Sequence, residues 1–276
     1  MRFEAHGWAL ELLPALGGAI GTLRHEGNDV LRPTPAGAGD PLEAGCFPLV
    51  PYANRIAHGR FEFAGQRYQL PLNFGDHPHS LHGLGWQAEW TVAEAGADRA
   101  VLTHAHDAGA DWPWTYRAEQ RFVLAPGEMT VELSISNGGD APMPAGIGLH
   151  PYFPCNAATR LRLEAERIWL ADETMLPTRP AAASWFGDWA AGAPVAGAAL
   201  IDNAYEGWNG AALIEQDWGS VEMRGEGASV LHVYRPPDAS FFCAEPVGHL
   251  PDAINRGGMD LLAPGETRML AMTLRV

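Results

Sequence analysis

The chain has no lysine. All eighteen of its basic residues are arginine, among 276 residues in total. Schiff-base and pyridoxal chemistry and P-loop nucleotide binding each depend on a lysine amine, so they are excluded. Positive charge is scarce altogether, and the net charge is −15. A nucleic-acid partner needs a basic surface, so none is expected, and neutral or polar small molecules remain as ligands. Cysteine is also sparse: Cys46, Cys155 and Cys243 lie far apart, with no C-x-x-C pair. They read as reduced thiols, which suits the cytoplasm. No apolar run approaches the roughly 18 to 20 residues of a membrane span. The start, Met1-Arg-Phe-Glu-Ala-His6, has no apolar signal core. A cytoplasmic protein without a membrane partner is expected, as a monomer or homodimer. Helical periodicity is missing too: no window of about 12 residues carries an apolar stripe without a breaker.

What is present is alternation. Met129, Val131, Leu133 and Ile135 fall on one face of an extended segment, and Thr130, Glu132 and Ser134 on the other. The same period predicts strands at Trp8–Leu13, Ala19–Leu23, Glu89–Ala93, Ala100–His104, Tyr116–Leu124 and Met129–Ile135. It continues at Leu161–Glu164, Ala211–Glu215, Val221–Arg224, Val230–Tyr234 and Met269–Val276. Arg60–Leu70 reads as a hairpin turning at Gly65-Gln66. Thirty-two glycines and twenty-two prolines fit many short strands. The fold class is all-β, a large two-sheet antiparallel β-sandwich, in one domain spanning residues 1–276. Pro177–Ala199, rich in Ala, Gly and Pro, reads as a long loop.

Ionisable groups gather in five places. Near the C-terminus, Phe241-Phe-Cys-Ala-Glu245-Pro runs an apolar strand into a carboxylate and then a proline. His150 has the same setting in Gly148-Leu-His-Pro-Tyr-Phe153. Two groups so placed, each at the end of a buried strand, can form an acid/base pair. Arg55 lies among apolar residues in Pro51–Ile56 and can fork onto two acceptors. Asp202 follows two aliphatics and precedes turn formers; its plainer reading is a turn residue. His77-Pro-His-Ser-Leu-His82 invites a metal reading. No acid follows the cluster until Glu89, beyond a Gly-rich turn, so no metal is assigned and His82 is read as a hydrogen-bonding partner for a polar ligand.

Together and in this order the pieces resemble the aldose 1-epimerase family, the galactose mutarotase-like proteins. The matching pieces are Pro51-Tyr-Ala-Asn-Arg-Ile56, Ser80-Leu-His-Gly83, Gly148-Leu-His-Pro-Tyr-Phe153, Ile201-Asp-Asn203 and Cys243-Ala-Glu-Pro246. The resemblance implies a large β-sandwich (the supersandwich of that family) with a sugar site in an open cleft, and no metal or organic cofactor. It implies Glu245 as general base, His150 as general acid, and Arg55, His82 and Asp202 as holders of the sugar hydroxyls. Two departures stand out. A single glycine follows His82 where many members carry two, and Glu245–Asn255 looks like a less characterised bacterial branch.

The implied reaction interconverts α and β anomers of a free aldose by ring opening and closure. It needs a base and an acid, expected on opposite sides of the ring. Burial after Phe241 and Phe242 should raise the pKa of Glu245, provided that Arg55 reaches the sugar rather than the carboxylate. An acceptor is expected at the second ring nitrogen of His150. Trp86, Phe153 and Trp208 are candidates to stack on the sugar, with core packing as the alternative. Three other readings stand beside this one. A mutarotase for hexose 6-phosphates would draw on Arg224, Arg235 and Arg256. A non-catalytic carbohydrate-binding protein would keep the aromatics and clamps alone. A glycoside hydrolase or lyase would use Glu245 and Asp202 as its two carboxylates.

Overall fold

A computed structural model describes all 276 residues. Two large sheets account for most of the chain. The first runs, strand by strand, Arg2–Ala5, Trp8–Leu13, Ala19–His25, Cys46–Leu49, Gly148–Pro154, Phe241–Val247, Val230–Arg235, Ile201–Glu206, Arg167–Ala171 and Pro177–Ala181. The second runs Thr91–Ala95, Arg99–His106, Tyr116–Ala125, Glu128–Asn137, Thr267–Arg275, Gly219–Glu226, Ala211–Gln216, Arg160–Leu163 and Ala193–Pro194. Every named pairing within them is antiparallel, as the short turns between alternating segments require. No helix is long and apolar enough to cross a membrane.

Period-two alternation sorts side chains to the two faces of the first sheet. Leu149, Phe153, Leu231, Val233, Phe242 and Ala244 join residues of the second sheet, such as Val131 and Leu133, in one apolar cluster of 53. Their alternates Tyr152, Val230, Cys243 and Val247 face the other way and join a smaller cluster of 11 with Phe47 and Trp86. That outer face also carries the ionisable groups.

The prolines do something other than end strands. The Glu245 strand continues through Pro246 to Val247, and the His150 strand through Pro151 to Pro154. The ladder between these strands is registered at Gly148↔Val247 and Tyr152↔Cys243, with no rung between. Pro151 and Pro246, each without an N–H, fall inside that gap. His150 and Glu245 therefore face one another in the centre of a sheet. Asp202 likewise lies within Ile201–Glu206 rather than in a turn. The expected 177–199 loop begins with an edge strand, Pro177–Ala181, paired on one side only; an edge tolerates its two prolines.

Candidate active site

Register arranges the outer face in rows. Phe47 opposes His150, and His232 opposes Glu245. His150 is Glu245's neighbour on the other side, so Glu245 stands between two imidazoles on three adjacent strands. One step along the same face, Tyr152, Cys243, Tyr234 and Asp202 form a second row. Over these rows arches a small ribbon in which Arg55–Ile56 pairs with Ser80–Leu81. The open-mouthed cavity between them measures about 270 Å³. All five residues expected from the sequence line it: Arg55, His82, His150, Asp202 and Glu245.

Two carboxylate–imidazole pairs result. In the first, His150 Nε2 lies 3.3 Å from Glu245 Oε1, and both residues are at most 5% exposed. Glu245 Oε2 and His150 Nδ1 have no partner. The acceptor expected at the second nitrogen of His150 is thus absent. Burial, reinforced by the charge of Asp202, holds Glu245 well above the ordinary carboxylate range, and Arg55 offsets this only in part. Burial pushes His150 down to about 3. Both directions favour a neutral pair, with the proton on Glu245 rather than on His150.

In the second pair, His232 Nε2 donates to Asp202 Oδ1 at 2.7 Å. Arg55 forks onto the same carboxylate, Nη2 to Oδ2 at 2.8 Å and Nη1 to Oδ1 at 3.3 Å. Burial opposes ionisation of Asp202, but the His232 hydrogen bond and the Arg55 charge outweigh it and hold its pKa below the usual value. Arg55 thus pairs with Asp202 and makes no hydrogen bond to Glu245.

His82 has a fixed tautomer. Its Nδ1 accepts the Asn54 backbone N–H at 3.1 Å, so the proton sits on Nε2, a donor for the cavity it lines. Burial first, then the neighbouring His150 and Arg55, keeps it neutral by lowering its pKa well below the ordinary value. Gly83, at φ 70°, explains the one glycine retained here: a Cβ would sit 2.4 Å from Val50 O. The departure at Glu245–Asn255 also acquires a reason. His249 Nε2 accepts Ala53 N–H at 3.2 Å, and Asp252 Oδ1 accepts Ala57 N–H at 2.9 Å. The segment thereby holds both ends of the Arg55 loop.

The sequence reading missed several site residues. His232 and Tyr234 sit in what read as a plain strand, and Tyr152, Phe241, Phe74 and Leu42 supply the apolar wall. The candidate stackers lie elsewhere. Phe153 packs on Phe242 between the sheets, Trp208 joins the same core, and Trp86 stacks on Phe47 beneath the site. Arg235 donates to Val195 and Ala199 carbonyls, Arg256 covers Trp169, and Arg224 pairs with Glu222 on the second sheet. None of the three lines the cavity.

Residues 12–275 match the family model described as aldose 1-epimerase. An uncharacterised protein of Escherichia coli K12, YphB, is 34% identical over 94% of this chain and 93% of its own length. The galactose mutarotase of Mus musculus is 27% identical over 46% of this chain and 39% of its own. A crystal structure from Escherichia coli K12, described as a candidate aldose 1-epimerase, superposes with a TM-score of 0.91. It has 33% identity and covers 99% of this chain and 97% of that one. A galactose mutarotase-like protein of Clostridium acetobutylicum shares the fold, with a TM-score of 0.87 at 21% identity over 99% and 93% of the two chains.

Proposed function

The chain belongs to the aldose 1-epimerase family, and we propose that it interconverts the α and β anomers of a free aldose by acid/base-catalysed opening and closure of the ring. The observation that carries this reading is the buried Glu245–His150 pair, two proton carriers 3.3 Å apart on the wall of a monosaccharide-sized cavity. Anomer exchange needs that inventory. Opening removes a proton from O1 and delivers one to the ring oxygen; closure reverses both transfers, so the pair's proton count is restored. O1 and the ring oxygen share one carbon. Adjacent carriers therefore suit the reaction better than the carriers on opposite sides of the ring expected from the sequence.

In this reading Glu245 faces O1 as the base of the opening step and His150 faces the ring oxygen as its acid. With the proton on Glu245, the pair stands as it does after opening. A cyclic sugar is bound productively when the proton has passed to His150. The His82 Nε2–H donates to a sugar hydroxyl. Asp202 has three of its roughly four acceptor positions occupied by Arg55 and His232, which leaves room for one sugar hydroxyl. Tyr152, Tyr234 and Phe241 offer the apolar contact that the tryptophans do not.

Two observations weigh against the other readings. The only guanidinium on the cavity wall, Arg55, is neutralised by Asp202, so no free cation there meets a 6-phosphate. That same commitment of Asp202 deprives a glycosidase mechanism of its second free carboxylate. Exchange NMR of anomeric protons over free and 6-phosphorylated aldoses tests the proposal. Acceleration of free aldoses is expected; a protein that binds sugars without accelerating exchange would be a carbohydrate-binding protein instead.

A further inference from the structure

Cys243 has no part in that reaction, yet it lies in the second row of the site face between Tyr152 and Tyr234, two residues before Glu245. It is a free, buried thiol. A ring nitrogen of His150, the Cys243 sulfur and a Glu245 carboxylate oxygen all lie within 4.8 Å of one another. Glu245 Oε2 and His150 Nδ1 are buried without partners. The 3.3 Å between imidazole and carboxylate is already the edge of a metal tetrahedron, since zinc takes nitrogen and oxygen at about 2.0 to 2.2 Å. The sulfur, within 4.8 Å of the other two ligand atoms, must approach to about 2.3 Å from the metal. Two of the three ligands, His150 and Glu245, line the cavity. A nitrogen–sulfur–oxygen donor set selects zinc over magnesium or calcium.

We propose that His150, Cys243 and Glu245 form a zinc site that switches the acid/base pair off. Binding displaces two protons, that of the thiol and the one shared by Glu245 and His150, as the metal forms one bond to each residue. Zinc competes with protons at every ligand, so its affinity rises with pH. The other histidine cluster is a poorer host. The Nδ1 atoms of His77 and His79 already accept backbone N–H groups, from His79 at 3.2 Å and His58 at 3.0 Å.

Metal binding is read without the reaction; only the inhibition rests on the mutarotase reading. The metal-free chain is titrated with Co²⁺ as a spectroscopic probe, then with Zn²⁺. One Co²⁺ per chain with a sulfur-to-cobalt charge-transfer band is expected. Cys243→Ser removes the band and weakens zinc by about tenfold or more, at least the loss that outer-shell changes cause, whereas Cys46→Ser leaves both intact. Zinc stops anomer exchange by the wild type, a chelator restores it, and Cys243→Ser continues to turn over in zinc. Absence of the band in the wild type, or equal zinc affinity in Cys243→Ser, would overturn the proposal. A chain that binds cobalt through sulfur yet exchanges no anomers would sink the mutarotase reading and leave the metal site standing.

Discussion

Two carboxylate–imidazole pairs share one sheet face, and their surroundings give them opposite characters. Asp202 has both oxygens bonded, a guanidinium on one side and His232 on the other. Glu245 has one oxygen bonded to nothing and no cation in contact. Burial is nearly the same for both, at 8% and 1% exposed. The difference is compensation: a cation and a donor fix the charge on Asp202, while their absence leaves Glu245 holding a movable proton. The charge fixed on Asp202 is also one cause of the raised value of Glu245. The first pair is thus part of what tunes the second.

Glu245→Gln removes the proton carrier and keeps the shape. Anomer exchange should fall by about 10²- to 10⁴-fold, and His150→Asn should be similarly slow. Both are read by exchange NMR, with circular dichroism as the check on folding. Asp202→Asn attacks the other pair and leaves Arg55 buried without its counter-charge. It should cost about 3 to 5 kcal/mol of stability, measured by denaturant melts, the size typical of breaking a buried ion pair. An unchanged melt would show that Asp202 is not the anchor.

His232 gives a smaller and sharper test. His232→Leu deletes the donor to Asp202 and should cost about 1 to 3 kcal/mol. His232→Gln can place an N–H near the same point and should recover most of that loss and of the exchange rate. Equal behaviour of the two variants would reduce His232 to packing.

The two pairs also respond to pH with opposite signs. Asp202, with its pKa depressed by folding, adds stability that is present above the ordinary carboxylate value. That stability is lost as the pH falls through that range toward its folded value. The wild type should lose stability below about pH 4, and Asp202→Asn should lose less over that window. Glu245, with its pKa raised, contributes in acid and loses that contribution as the pH rises toward its folded value. At pH 8, then, Glu245→Gln should melt no lower than the wild type.

Much of this was legible in the sequence, for a local reason. Alternation is a property of neighbours, so strands such as the one holding Met129 to Ile135 appear nearly where expected, as Glu128–Asn137. All five chosen residues line one cavity; their settings marked Glu245 and His150 as a pair, and the family resemblance added Arg55, His82 and Asp202. What stayed hidden depends on register between distant segments. His232 matters because it opposes Glu245 across a ladder, and nothing in Val230–Tyr234 alone announces that. The prolines misled in an instructive way. Pro151 and Pro246 read as strand ends because proline is normally excluded from central strands. Here they share one gap in one ladder, and the missing N–H groups fall where the two strands have no rung. Likewise the role of His249 and Asp252 shows only through the loop that they hold, 196 and 195 positions earlier in the chain, which carries Arg55.

The claim on which the account rests is that Glu245 carries the pair's proton at neutral pH. Infrared difference spectroscopy of wild type against Glu245→Gln at pH 7 tests it directly. The account predicts a protonated-carboxyl C=O band in the wild type that the variant lacks. A difference spectrum with carboxylate bands alone would contradict it.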